Sequence, residues 1–161
     1  MKLKLMIVCG VFALASVTSI NAEMAAKVDY PVDYRGWGHV KTLLLQPGHP
    51  LADPFEGIHH IYANAAALKG LQGGAYADGA VLVFDLLAAQ GGEHAVQEGE
   101  RKFIGVMQRD AKRFAATGGW GYEGFAGNSK TERMVTDGGK SCYGCHVAQK
   151  ETHYVFSQWR D

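Results

Sequence analysis

Apolar positions in this chain fall in short runs divided by Gly, Pro and polar turn residues, a pattern that predicts strands joined by brief helical pieces. Pro31 opens a short helical turn through Tyr34 and Arg35. Val40 to Leu45 reads as a strand closed by Pro47-Gly48, and Pro47, His49, Pro50 and Pro54 mark a loop that ends at Phe55. Ile58 to Tyr62 is a second strand. Asn64 caps a helical piece from Ala65 to Leu71, which Gly73-Gly74 stops. After the Asp78-Gly79 turn, Ala80 to Leu87 is apolar on both faces, which predicts a strand buried in the middle of a sheet.

The second half is less regular. Gln90 to Gly99 reads as a polar, Gly-rich loop, and Arg101 to Met107 as a strand with Phe103, Val106 and Met107 facing inward. Periodicity does not settle Gln108 to Ala116. Thr117-Gly118-Gly119 is a turn, and Trp120 to Phe125 alternates aromatic and small residues as a strand with one packed face. Ser129 to Gly139 is a polar connection, and Lys150 to Trp159 reads as a short closing helix. The expected architecture is α+β: one domain, mainly an antiparallel sheet with a few short helices.

Composition changes this picture little. A chain of 161 residues with 21 Gly and 47% apolar residues is long enough for one real core and rich in turns. Sixteen basic and sixteen acidic side chains give no argument for nucleic acid or an anionic membrane surface. Residues 1–22 have a basic start at Lys2 and Lys4, an apolar run from Met6 to Val17 and small residues ending at Asn21-Ala22. These are the parts of a secretory signal cleaved after Ala22, too short to favour a stable membrane span. Cys9 lies in the apolar run behind Ile7-Val8, which are too large for a lipidation site. The mature chain, residues 23–161, is expected to be periplasmic, slightly acidic and free of membrane spans.

Cys142-Tyr143-Gly144-Cys145-His146 carries the chemistry. It reads C-x-x-C-H, the attachment pattern of c-type haem. On a helix, positions i, i+3 and i+4 share a face, so two thiols can bond the porphyrin edge while the His146 imidazole reaches iron. A redox dithiol and a zinc site are the rival readings. The first usually accompanies a βαβ pattern, which is missing, and the second lacks another Cys pair. Export favours one covalent haem c held by Cys142, Cys145 and His146. Other candidates are weaker. His39 reads as a polar surface residue, and the adjacent His59 and His60 should face opposite sides of a strand, which disfavours a shared metal. Met24, Met107 and Met134 all precede the motif, unlike the downstream Met of His/Met electron carriers, and 21 Gly disfavour a four-helix bundle.

Taken together, Tyr34-Arg35 with Trp37, the Tyr62 strand, Asp78-Gly79 and its strand, Asp110 to Ala115, Gly119-Trp120, the C-x-x-C-H segment and Tyr154-Val155-Phe156 resemble the cytochrome P-460 family. The resemblance covers essentially the whole mature chain. It implies a mainly antiparallel sheet, a homodimer and His as the sole protein ligand of iron. One branch of that family cross-links a strand Lys to the porphyrin, uses a distal carboxylate and oxidises hydroxylamine. The matching position here is Phe84, no Lys lies between Lys69 and Lys102, and Phe103 to Met107 holds no carboxylate. The chain is thus more similar to the cytochrome c′-β branch, in which Phe residues cover the iron; Phe55 and Phe84 resemble that pair. The resemblance implies a gas-binding haem protein for nitric oxide and carbon monoxide, with a redox partner protein as a further expectation. The alternative is an oxidoreductase acting on hydroxylamine or nitric oxide.

Overall fold

A computed structural model describes residues 27–160. The expected signal segment, with Cys9 and Met24, lies outside the described residues. Five strands form one antiparallel sheet in sequence order: β1 (Gly38–Leu45), β2 (Gly57–Ala63), β3 (Val81–Gly91), β4 (Val96–Arg109) and β5 (Trp120–Ala126). Three short helices accompany them: α1 (Ala52–Phe55), α2 (Ala65–Leu71) and α3 (Lys140–His146). The α+β expectation therefore holds. No helix among the described residues is long and apolar enough to cross a membrane.

Local chemistry explains most boundaries. Asn64 caps α2: its Oδ1 accepts from the Ala67 amide at 2.9 Å and from the Val81 amide at 3.1 Å, tying the helix start to β3. Asp78 accepts from the Ala111 amide at 2.8 Å, so the turn before β3 is fastened to the chain leaving β4. Two expectations change. Gln90 to Gly99 is mostly paired strand, because β3 and β4 run on as a long hairpin closed near Gly92, with Ala89 opposite Glu98 and Gly91 opposite Val96. Lys150 to Trp159 is no helix. A 3-10 segment, Val147–Thr152, gives way to an irregular hook.

Strand register sorts the side chains onto two faces. On the front face the rungs read Ala63–Leu82–Met107–Tyr122, then Ile61–Phe84–Gly105–Gly124, then His59–Leu86–Phe103–Ala126. On the back face they read Tyr62–Val83–Val106–Glu123 and His60–Asp85–Ile104–Phe125. Both faces are packed. Leu82, Tyr122, Trp120, Tyr76 and the α2 residues Ala67 and Leu71 form the front core, which Val155 and Cys142 join. Val28, Tyr34, Val83, Ile104, Val106, Phe114 and Phe125 form the back core. This is why the β3 sequence is apolar on both faces, apart from Asp85.

Asp85 is fully buried. Its carboxylate accepts from the Tyr34 hydroxyl at 2.8 Å, Arg35 Nε at 2.9 Å and Arg101 Nε at 2.7 Å. Arg35 continues to Glu98 at 3.4 Å, and Glu98 to His60 Nε2 at 2.6 Å. A buried carboxylate needs such partners, since desolvation alone would strongly disfavour its charge.

Candidate functional site

The C-x-x-C-H segment lies in α3, the helical setting in which Cys142, Cys145 and His146 share a face. Cys142 is half-buried against the front core, and burial pushes its thiol pKa up; Cys145 is exposed, and the two sulfurs are not joined. The His146 ring lies between Tyr122 and Phe156, each with ring centroid 5.0 Å away. Its Nδ1 is 2.7 Å from the Tyr154 carbonyl oxygen. A carbonyl only accepts, so Nδ1 carries the proton and the Nε2 lone pair stays available. Burial lowers the His146 pKa, against the opposing pull of the Tyr154 carbonyl. A neutral imidazole anchored through Nδ1 is the form in which histidine ligates metals.

The Tyr154 carbonyl is aimed by an unusual stretch of backbone. His153 and Tyr154 both have positive φ, 56° and 67°. Such conformations cost non-glycine residues about 1 kcal/mol or more each. Three anchors hold them. The Tyr154 amide donates to Gln149 O at 2.6 Å, Val155 is buried, and the Tyr154 ring lies on Gly118. A Cβ at Gly118 would come within 2.6 Å of that ring. Together with Phe156, the hook gives a physical role to the Tyr154-Val155-Phe156 run.

Phe55 and Phe84 do come together. Phe84 projects from β3 onto the front face one rung beyond Tyr122, and Phe55, at the end of α1, meets it edge-on at 5.9 Å. Phe103 completes the group, stacked on Phe84 at 5.8 Å and 6.1 Å from Phe55. His59 packs edge-on against Phe84 at 4.6 Å, and its Nε2–H donates to the Phe55 carbonyl. Burial lowers the His59 pKa, so the ring is neutral. His60 faces the back, as alternation requires, so the two histidines do not converge. His39 is on the back as well, its Nε2 2.9 Å from Thr42 Oγ1.

Sequence reasoning missed Phe103, Tyr122, Phe156 and the Tyr154 carbonyl as neighbours of this site. Phe103 was legible only as inward-facing, because its partner depends on the β3–β4 register. Met107 lies in the front core, and Met134 covers Gly124.

The front face fits a flat apolar group with polar edges. Gly105 and Gly124 stand side by side next to Phe84, where a Cβ at Gly105 would meet the Phe84 side chain at 3.5 Å and Met134 covers Gly124. The buried Tyr122 hydroxyl has no hydrogen-bond partner among the described residues. An orphaned buried hydroxyl is unusual in a finished core and suits a face completed by a bound group.

This arrangement, a β-sheet domain with one aromatic face beside a Cys-x-x-Cys-His helix, defines a haem-binding protein. Residues 31–157 match the family model Cytochrome P460, and the chain belongs to that family. A search of curated proteins gave no significant match.

Proposed function

We propose that this chain is an exported mono-haem c protein that binds nitric oxide, and also carbon monoxide, for scavenging, sensing or transport. Residues 1–22 would direct export and be removed in the periplasm, leaving residues 23–161 as the haem domain. Cys142 and Cys145 would hold the haem through thioether bonds, and His146 would be the sole protein ligand of iron. Bound there, the haem would supply an iron able to take up a diatomic gas.

The observation that carries this reading is Phe84. It occupies the front-face position where the cross-linked branch of the family has Lys, and Phe55 and Phe103 surround it. The buried carboxylates, Asp85 on β3 and Glu123 on the edge strand β5, lie on back-face rungs. The His59 Nε2 proton is already committed to the Phe55 carbonyl. A wall of Phe rings therefore offers a bound ligand no proton and no charge. Dioxygen relies on a donor, and anions lose their hydration in such a place. Nitric oxide and carbon monoxide are small and neutral and need neither. By the same reasoning the protein is a gas carrier or sensor before it is a hydroxylamine oxidoreductase. Its family resemblance supports a homodimer, and a redox partner protein would keep the iron ferrous.

The test is the absorption spectrum of the purified protein, ferric and ferrous, with nitric oxide titration and a hydroxylamine oxidation assay. The expected result is an ordinary c-haem spectrum, a five-coordinate high-spin ferrous iron, stoichiometric nitric oxide binding and negligible turnover. A red-shifted cross-link band or robust hydroxylamine oxidation would assign the chain to the enzymatic branch.

A further inference from the structure

We propose that His59 and Lys102 clamp the loop carrying Phe55 and so set how closed the distal wall is. The inference rests on the reading of Phe55 as part of that wall. Three successive carbonyls of the loop are each taken by a side chain anchored in the sheet. Lys102 Nζ, from β4, donates to Pro54 O at 3.3 Å and to Glu56 O at 2.9 Å. His59 Nε2, from β2, donates to the carbonyl between them, that of Phe55.

The loop has little else to hold it. Its helical piece is a single turn whose second residue, Asp53, is not helical. Leu51, Asp53, Pro54 and Glu56 are exposed, and Phe55 is the side chain that turns inward. A segment with so few buried contacts opens readily unless its backbone is fastened. His59 is well suited to fasten it. The residue is only 5% exposed and sits on an interior strand, and its ring packs against Phe84. It therefore joins both rings of the wall, one through the backbone and one through ring contact. A buried neutral histidine beside a ligand site invites a second reading, direct donation to the bound gas. The Nε2 bond to Phe55 argues against it, because that proton already has an acceptor. Both residues are positioning residues: they act through Phe55.

The experiment uses the full exported haem-loaded protein and its variants His59→Phe, His59→Gln, Lys102→Met, Phe55→Val and the doubles His59→Phe/Phe55→Val and Lys102→Met/Phe55→Val. Two readouts are taken: stopped-flow carbon monoxide association, and amide hydrogen exchange of the peptide spanning 51–57. His59→Phe should speed association and loop exchange roughly three- to tenfold, the population shift set by losing one net hydrogen bond, and Lys102→Met, which gives up two exposed ones, should do so by a similar factor. His59→Gln, which keeps a donor near the position of Nε2, should restore much of the wild-type behaviour. In the Phe55→Val background neither clamp substitution should change association further. Unchanged association in both clamp variants, with Phe55→Val altered, overturns the clamp and leaves the distal wall standing. Unchanged association in Phe55→Val as well overturns both. A His59→Phe effect that persists in the Phe55→Val background means direct action on the ligand and also overturns the clamp. If His59→Phe does not fold, Lys102→Met and its double decide the matter by the same criteria.

Discussion

Phe84 and Asp85 are neighbours in sequence, yet they belong to two different kinds of surface. The back face around Asp85 is built on a carboxylate paired from several sides. Its carboxylate is fully buried and accepts from Tyr34, Arg35 and Arg101, and the network runs on to Glu98 and His60. The front face around Phe84 is apolar and aromatic, with glycines on the rung beside the ring and a Tyr122 hydroxyl that has no partner among the described residues. One face stabilises the fold by giving its buried carboxylate several charged and hydroxyl donors. The other is an aromatic surface that leaves a buried hydroxyl without a partner among the described residues, as a site for a bound group would. A single strand supplies both because successive side chains point to opposite sides.

The comparison breaks most visibly at Asp85. Asp85→Asn should cost about 3–5 kcal/mol, because it leaves two guanidinium groups without their shared anion. The lower end is expected, since Arg35 is 44% exposed and can be resolvated. Chemical denaturation measures the loss, and the haem spectrum of the folded fraction should not move. The wild type carries the matching acid signature. Burial alone would raise the Asp85 pKa, but hydrogen bonds from Arg101, Tyr34 and Arg35 hold it below the ordinary carboxylate value. A depressed folded value means stability fully present above about pH 4 and lost as the pH falls through the folded-state pKa. Denaturation midpoints between neutral pH and pH 3 should fall in wild type and fall less in Asp85→Asn.

The same substitution made on each face sharpens the contrast. Tyr34→Phe removes a hydrogen bond to a buried carboxylate and should cost about 1.5–3 kcal/mol. Phe84→Val, in a half-buried ring, should cost roughly 1–2 kcal/mol, below the usual cost of truncating a fully buried Phe. On the proposed reading its larger signature is functional: carbon monoxide should bind faster and tighter in the variant. Stopped-flow traces with unchanged rates would remove Phe84 from the distal wall. Tyr122→Phe should have the smallest effect on the haem-free chain, about zero, because its hydroxyl has no bond there to lose. A loss above about 1 kcal/mol would mean that the hydroxyl is satisfied within the protein.

The two faces also differ in how much of them could be read from sequence. Five strands, the Asn64 cap and the motif helix were legible, because each depends on local signals. The long β3–β4 hairpin was not. Residues 89–99 project beyond the core and are largely exposed, so their alternation has no buried side to register. The Asp85 network was equally hidden. An Asp in an apolar run predicts that partners exist but not that they lie 50 residues upstream at Arg35 and 16 downstream at Arg101. At the site, the C-x-x-C-H spacing is local and readable, and the Phe55–Phe84 meeting agrees with the family resemblance. The Tyr154 carbonyl could not be found, because it depends on two consecutive left-handed residues that carry no glycine. Lys150 to Trp159 read as a short closing helix, whereas Tyr154 and Val155 anchor a hook.

Covalent haem on the front face is the central claim, and intact-mass spectrometry of the purified exported protein tests it most directly. The expected spectrum is one species beginning near Glu23 with a single haem added, which survives acid-organic extraction and is lost when Cys142 and Cys145 are both replaced by Ser. Two alkylatable thiols and an unmodified polypeptide mass, from cells that assemble c-type haem, would contradict it.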